Sequence, residues 1–309
     1  MPRRYGEFMA QPSRDLFRVT LLGSGAPPPR MDCFGPSTLI GVGNEKFIVD
    51  AGRGAMQRIY QLGIPFAEIT GLFLTHHHSD HVVGFPDLWL TGWIGRPWGK
   101  RNQPLHVWGP AGTQQMMEHL PLAFAVDIRV RSRNYPPDGV KLLAHEIEEG
   151  VVLDRDGIRV SAFEVDHGGE DLPAYGYRID YQDRGAVLSG DTTFNENLIR
   201  HSQGVDVLVH EVTAAAGSAA ESPEQLKRIG SNHTTPNQAG EVFSRVKPRL
   251  AVYNHLLLFG GARAEDLIPA TREKYSGPLV VGEDLLQIHI GESVETRRFG
   301  HSTGYPTGS

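Results

Sequence analysis

The chain has 309 residues, of which 39% are hydrophobic and 21% are charged, a composition typical of globular proteins. Its 30 basic residues against 36 acidic ones give a net charge of −6, which argues against a basic nucleic-acid-binding protein. The single cysteine, Cys33, excludes an intrachain disulfide and a zinc site built on several thiolates, and it fits a reducing compartment.

The ends of the chain and its hydropathy give an expectation about location. Met1 to Glu7 include basic residues, but no apolar stretch follows them, so the sequence predicts no signal peptide. No apolar run approaches the length that crosses a bilayer. We therefore expect a soluble, cytoplasmic protein with no membrane partner.

The first half of the chain is predicted to contain short strands and one helix. Residues 18–23 form a strand, and residues 37–42 and 46–50 form a hairpin around Gly43 and Asn44. Residues 55–62 form a helix that Gly63 ends. The apolar residues 71–75 form a buried strand, and a run of histidines begins where it stops.

The second half repeats this style, with strands at residues 158–165, 174–179, 185–189, 205–209 and 250–253. Residues 235–246 read as a helix, with Thr234 or Thr235 as N-cap and Pro236 in its first turn. Without a linker, we expect residues 1–309 to form one domain of two strand-rich halves, with a loose tail over residues 300–309.

Five of the predicted strands end at a histidine or an aspartate, namely His76, His167, Asp191, His210 and His255. Loops at the ends of buried strands are where rigid scaffolds place their chemistry. This pattern predicts that a functional site lies at one edge of the fold.

The densest group of polar side chains is His76, His78, Asp80 and His81. Packing four such groups together has no stability rationale, whereas zinc-type metals take this mixture of nitrogen and oxygen ligands. Alternate residues of a turn face the same way, so His76 and His78 can share one ion while Asp80 and His81 reach a second. Further ligands are expected at strand ends, and the candidates are His167, Asp191 and His255. Five other histidines are expected to be solvated or hydrogen-bonded: His106, His119, His145, His201 and His289.

These residues resemble a known family. The segment from Thr75 to His81 resembles the HxHxDH signature of the metallo-β-lactamase superfamily. Four further motifs of that family follow in order, at Asp50-Ala51-Gly52, Asp166-His167, Ser189-Gly190-Asp191-Thr192 and Asn254-His255. The match spans about residues 17–291 and implies an α+β fold, the four-layer αββα sandwich with two mixed sheets face to face and helices outside.

The resemblance also implies the ligand assignment. One ion would be bound by His76, His78 and His167, the other by Asp80, His81 and His255, with Asp191 bridging both. His77 would point away, and Asp50 would orient a ligand rather than bind metal. Two divalent ions are expected, with zinc the first choice and manganese or iron also compatible.

The implied activity is metal-dependent hydrolysis, in which two ions lower the pKa of a shared water and Asp80 orients or deprotonates it. Residues 210–213 and 233–236 resemble motifs of the ribonuclease Z branch. There, Glu211 would orient His233, and His233 would donate a proton to the leaving oxygen. The alternative is that His233 only caps the following helix.

The expected substrate is a small anionic or aryl molecule, a phosphodiester or a sulfate ester, and a nucleic acid is not expected. Only 191 − 167 = 24 residues separate His167 from Asp191, too few for the tRNA-gripping arm of bacterial ribonuclease Z, and the net negative charge removes attraction to phosphates. The arylsulfatase and small-phosphodiesterase branches fit better. The alternatives are a ribonuclease Z-like tRNA 3′ endonuclease, hydrolysis at carbon (a lactone, a thioester or an activated aryl halide) and, last, a non-catalytic metal-binding protein.

All four tryptophans fall within the segment from Trp89 to Trp108, just after the histidine run. Trp89 and Trp93 would share a helix face, and Arg96 adds positive charge beside them. We expect these three residues to contact the substrate. The alternative is that the tryptophans build the core or a contact within a homodimer, the commonest oligomer.

Overall fold

The computed structural model describes residues 16–94, 99–169, 171–216, 224 and 230–299. Arg96, Trp98 and the tail over residues 300–309 lie outside this part, as do residues 1–15. That the whole chain forms one domain, and that it forms a homodimer, therefore stay predictions. Among the helices described, none is long and apolar enough to span a bilayer.

Two mixed sheets form the centre of the fold. The strands of the first sheet are β1 (Phe17–Gly23), β2 (Ser37–Val42), β3 (Glu45–Val49), β4 (Gly71–Phe73), β5 (Leu105–Gly109), β6 (Leu142–Glu146), β14 (Leu286–Ile290) and β15 (Val294–Arg298). Those of the second are β7 (Gly150–Arg155), β8 (Ile158–Val165), β9 (Ala174–Tyr181), β10 (Arg184–Leu188), β11 (Val207–Ala215), β12 (Leu250–Phe259) and β13 (Leu279–Val281). The strand order is β15-β14-β1-β2-β3-β4-β5-β6 in the first sheet and β13-β12-β11-β10-β9-β8-β7 in the second.

Helices cover the outer face of each sheet. They are α1 (Ala55–Gln61), α2 (Ser79–Val82), α3 (Phe85–Ile94), α4 (Thr113–Ala123), α5 (Ala125–Arg131), α6 (Glu196–His201), α7 (Pro236–Val246) and α8 (Leu267–Arg272). Short 3-10 helices lie at Phe66–Glu68, Pro137–Val140 and Ala264–Asp266.

The hydrophobic core has three parts that correspond to the interfaces between four layers. Between the sheets, Val19 and Ile40 of the first sheet pack with Val160 and Val207 of the second. A second cluster joins the first sheet to α1, α3 and α4, and a third joins the second sheet to α6, α7 and α8. The predicted αββα architecture is confirmed.

Most of the predicted elements are confirmed within a few residues. The hairpin of β2 and β3 turns at Gly43, whose φ of 55° is easy only for glycine. Helix α7 begins with a capping box at Thr235, which accepts from the backbone of Gln238, and Pro236 occupies its first turn.

Strands β11 and β12 extend well beyond their predicted ends. The sequence predicts that they end before His210 and Asn254, but their parallel pairing continues to Ala215 and Phe259. The pairing continues past these polar residues because of a β-bulge between Glu211 and Val212. At this bulge His255 has no paired residue on β11 and leaves the regular alternation of side chains between the two faces of the sheet. The candidate functional residues of these two strands therefore lie within the second sheet and not in the loops that follow its strands.

Candidate metal centre

The first sheet contributes the segment that follows β4. The chain leaves β4 at Phe73, runs through His76 and His78 and enters the short helix α2, which carries Asp80 and His81. Nε2 of His76 lies 3.0 Å from Nδ1 of His78. His76, Asp80 and His81 are all buried, so this segment places polar groups inside the protein.

The second sheet contributes three residues from separate strands. His167 follows β8, Asp191 follows β10, and His255 lies in β12 at the bulge with a φ of 44°. A positive φ is uncommon for a residue with a side chain and carries a conformational cost. This backbone directs the His255 ring toward the residues of the first sheet, where its Nε2 lies 3.4 Å from an Asp80 oxygen.

Asp191 lies at the centre of the assembled group. Its Oδ2 is 3.2 Å from Nε2 of His255, 3.4 Å from that of His81, 3.8 Å from that of His167 and 4.0 Å from that of His76. One carboxylate oxygen thus faces four imidazole nitrogens at once. All seven predicted ligands are brought together, in overlapping groups that include His76, His78 and His167 on one side and Asp80, His81 and His255 on the other.

Outer hydrogen bonds fix the direction of three of the rings. Nδ1 of His81 donates to Asp50 at 2.8 Å, and Nδ1 of His167 donates to the carbonyl of Asn232 at 2.8 Å. His76 places Nδ1 at 3.0 Å from the hydroxyl of Thr75, which donates in turn to Asp50. These contacts leave Nε2 of each ring facing the centre. Metal-binding histidines are oriented in the same way by hydrogen-bond partners at their outer ring nitrogen.

Opposing effects set the pKa values in this group. Burial lowers the pKa of His76 well below its ordinary value, so its ring is neutral and can offer a lone pair. Burial also disfavours the charged form of His81, but the carboxylates of Asp191 and Asp50 hold its pKa well above the ordinary value. The site therefore favours positive charge at the buried Nε2 of His81, which has no hydrogen-bond partner within the described protein.

These features fit a metal centre. The donors are imidazole nitrogens and carboxylate oxygens, which suit zinc, manganese and iron alike. The carboxylates of Asp191 and Asp50 stabilise positive charge around an unpartnered buried nitrogen, and a bound cation would satisfy both the charge and the nitrogen. The observed group is therefore suited to binding metal.

A second polar pair lies beside this centre. Nδ1 of His233 lies 3.0 Å from Oε1 of Glu211, which also accepts from the backbone of Thr192 and Thr234. The centroid of the His233 ring lies 5.0 Å from the ring centroid of His167 and 5.8 Å from that of His255. Because Thr235 caps α7, the alternative that His233 is only a helix cap is wrong.

Burial and hydrogen bonding act against each other in this pair. Burial raises the pKa of Glu211, although the hydrogen bond from His233 opposes it. Burial disfavours a charged His233, but the hydrogen bond to Glu211 raises the pKa of His233. Glu211 thus favours a protonated imidazole next to the metal centre.

The tryptophan prediction is wrong. Trp89 and Trp93 are 0% exposed, and their indole nitrogens donate to the carbonyls of Val140 and Pro136. Helix α3 turns both rings toward the 3-10 helix at Pro137–Val140, so the structure contradicts their predicted contact with substrate. A helical spacing of four alone does not distinguish a core face from a binding face. The third residue of that prediction, Arg96, is outside the described residues.

Other residues of the site were not predicted as members. The carbonyl of Asn232 and the hydroxyl of Thr75 orient ligand rings, and no residue-type signal marks a backbone carbonyl. His77 turns away from the centre and its Nε2 lies 3.0 Å from the hydroxyl of Thr113.

Comparison with known proteins identifies the family. The model of the beta-lactamase superfamily domain matches residues 45–256. Ribonuclease Z of Mycobacterium bovis is 31% identical over 281 residues, covering 89% of this chain and 99% of the relative. Among solved structures, the metallo-β-lactamase fold protein YhfI of Bacillus subtilis matches with a TM-score of 0.71 and 16% identity, covering 89% of this chain and all of that one. The short form of human tRNase Z matches with a TM-score of 0.65 and 19% identity, covering 88% and 98%.

The expectation of a small-molecule substrate, with nucleic acid excluded, is contradicted by these relatives. It rested on the short interval between His167 and Asp191 and on the net charge. An alignment that covers 99% of the mycobacterial ribonuclease in 281 residues leaves no room there for a long arm that this chain lacks. Net charge describes the whole surface and not the field at one site. With the fold, the converging donors and these relatives in agreement, the chain belongs to the metallo-β-lactamase superfamily and is a hydrolase of its ribonuclease Z branch.

Proposed function

We propose that the chain is an endonuclease of the ribonuclease Z type, which hydrolyses a phosphodiester bond at the 3′ side of tRNA with two divalent ions. The observation that carries the proposal is the position of Asp191, one oxygen of which faces both groups of predicted ligands. The RNA substrate is supported by the ribonuclease Z relatives, which match almost end to end.

The ligand roles are part of this proposal. His76, His78 and His167 would hold one ion, Asp80, His81 and His255 would hold the other, and Asp191 would be available to both. Zinc is the first choice because histidine nitrogens predominate, and manganese and iron remain compatible. When bound, the ions lower the pKa of water and stabilise the charge that develops on the phosphate.

Asp80 receives a proton in this proposal. Its Oδ2 lies 3.4 Å from Nε2 of His255 and 3.6 Å from Nε2 of His81. Burial favours the protonated form of Asp80, but the imidazoles of His255 and His81 beside it lower its pKa. A carboxylate kept ionised at the centre can orient the attacking water and accept its proton.

His233 and Glu211 act on the leaving group. Glu211 is fixed by two backbone donors and by Nδ1 of His233, so the imidazole is held with Nε2 as its free nitrogen. The raised pKa of His233 keeps a proton available for transfer to the leaving oxygen. Asp80 and His233 thereby divide the proton transfers, one on the attacking side and one on the leaving side.

The test uses precursor tRNA with a 3′ trailer, incubated with purified protein and either zinc or manganese. We expect one cut near the 3′ end of the tRNA and slower cleavage of an unstructured RNA of equal length. Bis-p-nitrophenyl phosphate in parallel reports whether the metal centre is active at all. Hydrolysis of that ester with no cleavage of precursor tRNA would reject the RNA assignment while leaving the metal centre intact.

A further inference from the structure

A small cavity of about 30 Å³ adjoins the metal centre between the two sheets, and His81 and Asp191 of that centre help to line it. Its lining includes Ser37 of the first sheet and Glu211, Asn254 and His255 of the second. Glu211 and Asn254 are paired across the parallel strands β11 and β12, so their side chains share one face of the sheet. About 10–15 Å³ of such space is enough to hold one water molecule.

Each of these four residues carries a buried polar atom without a hydrogen-bond partner in the described protein. The atoms are Ser37 Oγ, Glu211 Oε2, Asn254 Oδ1 and His255 Nδ1. Ser37, Glu211 and His255 are at most 3% exposed, so bulk solvent does not reach them. Buried polar groups are almost always hydrogen-bonded, and four unpartnered ones around one cavity call for a common partner.

The chemistry of the four atoms matches one water molecule. In the proposed ligand role, Nε2 of His255 offers its lone pair to a metal ion, so the proton of the neutral ring lies on Nδ1, which donates. Glu211 Oε2 and Asn254 Oδ1 accept, and the hydroxyl of Ser37 can donate. A water molecule offers two donors and two acceptors, so it can satisfy all four atoms together.

His255 differs in this respect from three other predicted ligands. His76, His81 and His167 each direct Nδ1 at a protein partner, namely Thr75, Asp50 and the carbonyl of Asn232. Within the part of the chain that the structure describes, His255 Nδ1 has no such partner. The bulged backbone of His255, with its positive φ, places the ring between the two sheets. There the adjoining cavity has room for an acceptor of the Nδ1 proton.

We infer that a buried water molecule in this cavity is the outer partner of His255 and connects Nδ1 of that ring to Oε2 of Glu211. It fixes the tautomer of His255 and joins the metal centre to the Glu211–His233 pair, with Asn254 and Ser37 as positioning residues. This inference rests on the proposed ligand role of His255, but not on the identity of the RNA substrate.

The direct test is a crystal structure of the zinc-loaded protein at a resolution that shows ordered water. We expect one water within hydrogen-bond distance of both His255 Nδ1 and Glu211 Oε2. A dry cavity, or side chains rotated to find protein partners, would overturn the inference. The same map shows whether zinc lies at His255, so failure of the ligand assignment is seen separately.

A pair of variants tests the positioning role by metal affinity. Asn254→Leu puts an apolar side chain where the water would lie, whereas Asn254→Ser keeps an oxygen and leaves room. We expect chelator competition to show zinc bound about 10-fold more weakly by Asn254→Leu, and within about twofold of wild type by Asn254→Ser. Equal affinity of the Leu variant and wild type would contradict the inference. If the Leu variant does not fold, the presence or absence of the water in an Asn254→Ser crystal decides.

Discussion

Two groups of histidines in this protein bring their nitrogens equally close, yet only one of them resembles a reactive site. At the metal centre, His76 and His78 approach to 3.0 Å; at the edge of the first sheet, His106 on β5 and His145 on β6 approach to 2.9 Å. The edge pair stacks its rings on each other and on Trp108. In the part of the chain described, no third donor joins His106 and His145 in a metal-binding group.

The electrostatic settings of the two groups differ more than their distances. Burial lowers the pKa of both His106 and His145, and no carboxylate among the described residues opposes that effect. At the metal centre, Asp191 and Asp50 overcome burial and raise the pKa of His81. The comparison teaches that a carboxylate aimed at converging nitrogens, and not proximity of histidines, marks the site.

Replacing the central carboxylate should have the largest effect. Asp191→Asn keeps the shape but removes the charge that faces four imidazole nitrogens. We expect the turnover of precursor tRNA to fall about 10⁴-fold or more, since metal ions supply several kcal/mol of transition-state stabilisation and each 1.36 kcal/mol is tenfold. His106→Gln, in the edge pair, is the matched control and should stay within about twofold of wild type. Equal losses in both variants would remove the distinction between the two groups.

The next largest effect should come from His233, which approaches the centre without being one of the seven predicted ligands. His233→Ala should lower the cleavage of precursor tRNA roughly 10²-fold to 10⁴-fold, because the leaving oxygen then lacks a positioned acid. Bis-p-nitrophenyl phosphate needs no such proton, since p-nitrophenolate leaves unaided, and its hydrolysis should change much less. A similar loss on both substrates would show that His233 serves the metal centre instead.

A smaller effect is expected when a partner of a ligand is changed. Asp50→Asn weakens the acceptor for Nδ1 of His81 and for the hydroxyl of Thr75. Metal affinity, measured by competition with a chelator, should fall about 10-fold to 100-fold. His145→Gln makes the corresponding change in the edge pair and should leave metal affinity unaltered. Unchanged affinity in Asp50→Asn would mean that Asp50 orients no ligand.

For the edge pair, His106 and His145, we expect an effect only on how the thermal stability of the protein depends on pH. The folded-state pKa of His145 lies below its unfolded value of about 6.5, so protonation favours unfolding as the pH drops below that value. His145→Gln cannot take up this proton, so its Tm should fall less than that of wild type between pH 7.5 and 5.5. Parallel Tm curves for the two proteins would contradict a lowered pKa in the pair.

Much of the site could be predicted because ligand chemistry leaves a local signature. The segment from His76 to His81 and the strand ends at His167 and Asp191 were visible as polar residues directly after apolar runs. What could not be predicted depends on packing between distant segments. The buried indole of Trp89 donates to the carbonyl of Val140, 51 residues further along the chain, and the bulge at His255 depends on the register of β12 against β11.

The fold class followed from ordered motifs, but the substrate did not. The short interval between His167 and Asp191 and the net charge predict that RNA is not the substrate, but neither describes the surface around the metal centre. The edge pair shows the same limit, since His106 and His145 are 39 residues apart and meet only because β5 and β6 are neighbours.

The division of the ligands between the two sheets has a consequence for the order in which the protein is made. His76 leaves the ribosome 255 − 76 = 179 residues before His255, so the site cannot be complete until nearly all of both sheets exist. We expect metal loading to follow folding and not to nucleate it. We therefore expect the refolding rate to be independent of added zinc, while the unfolding rate decreases as zinc concentration rises.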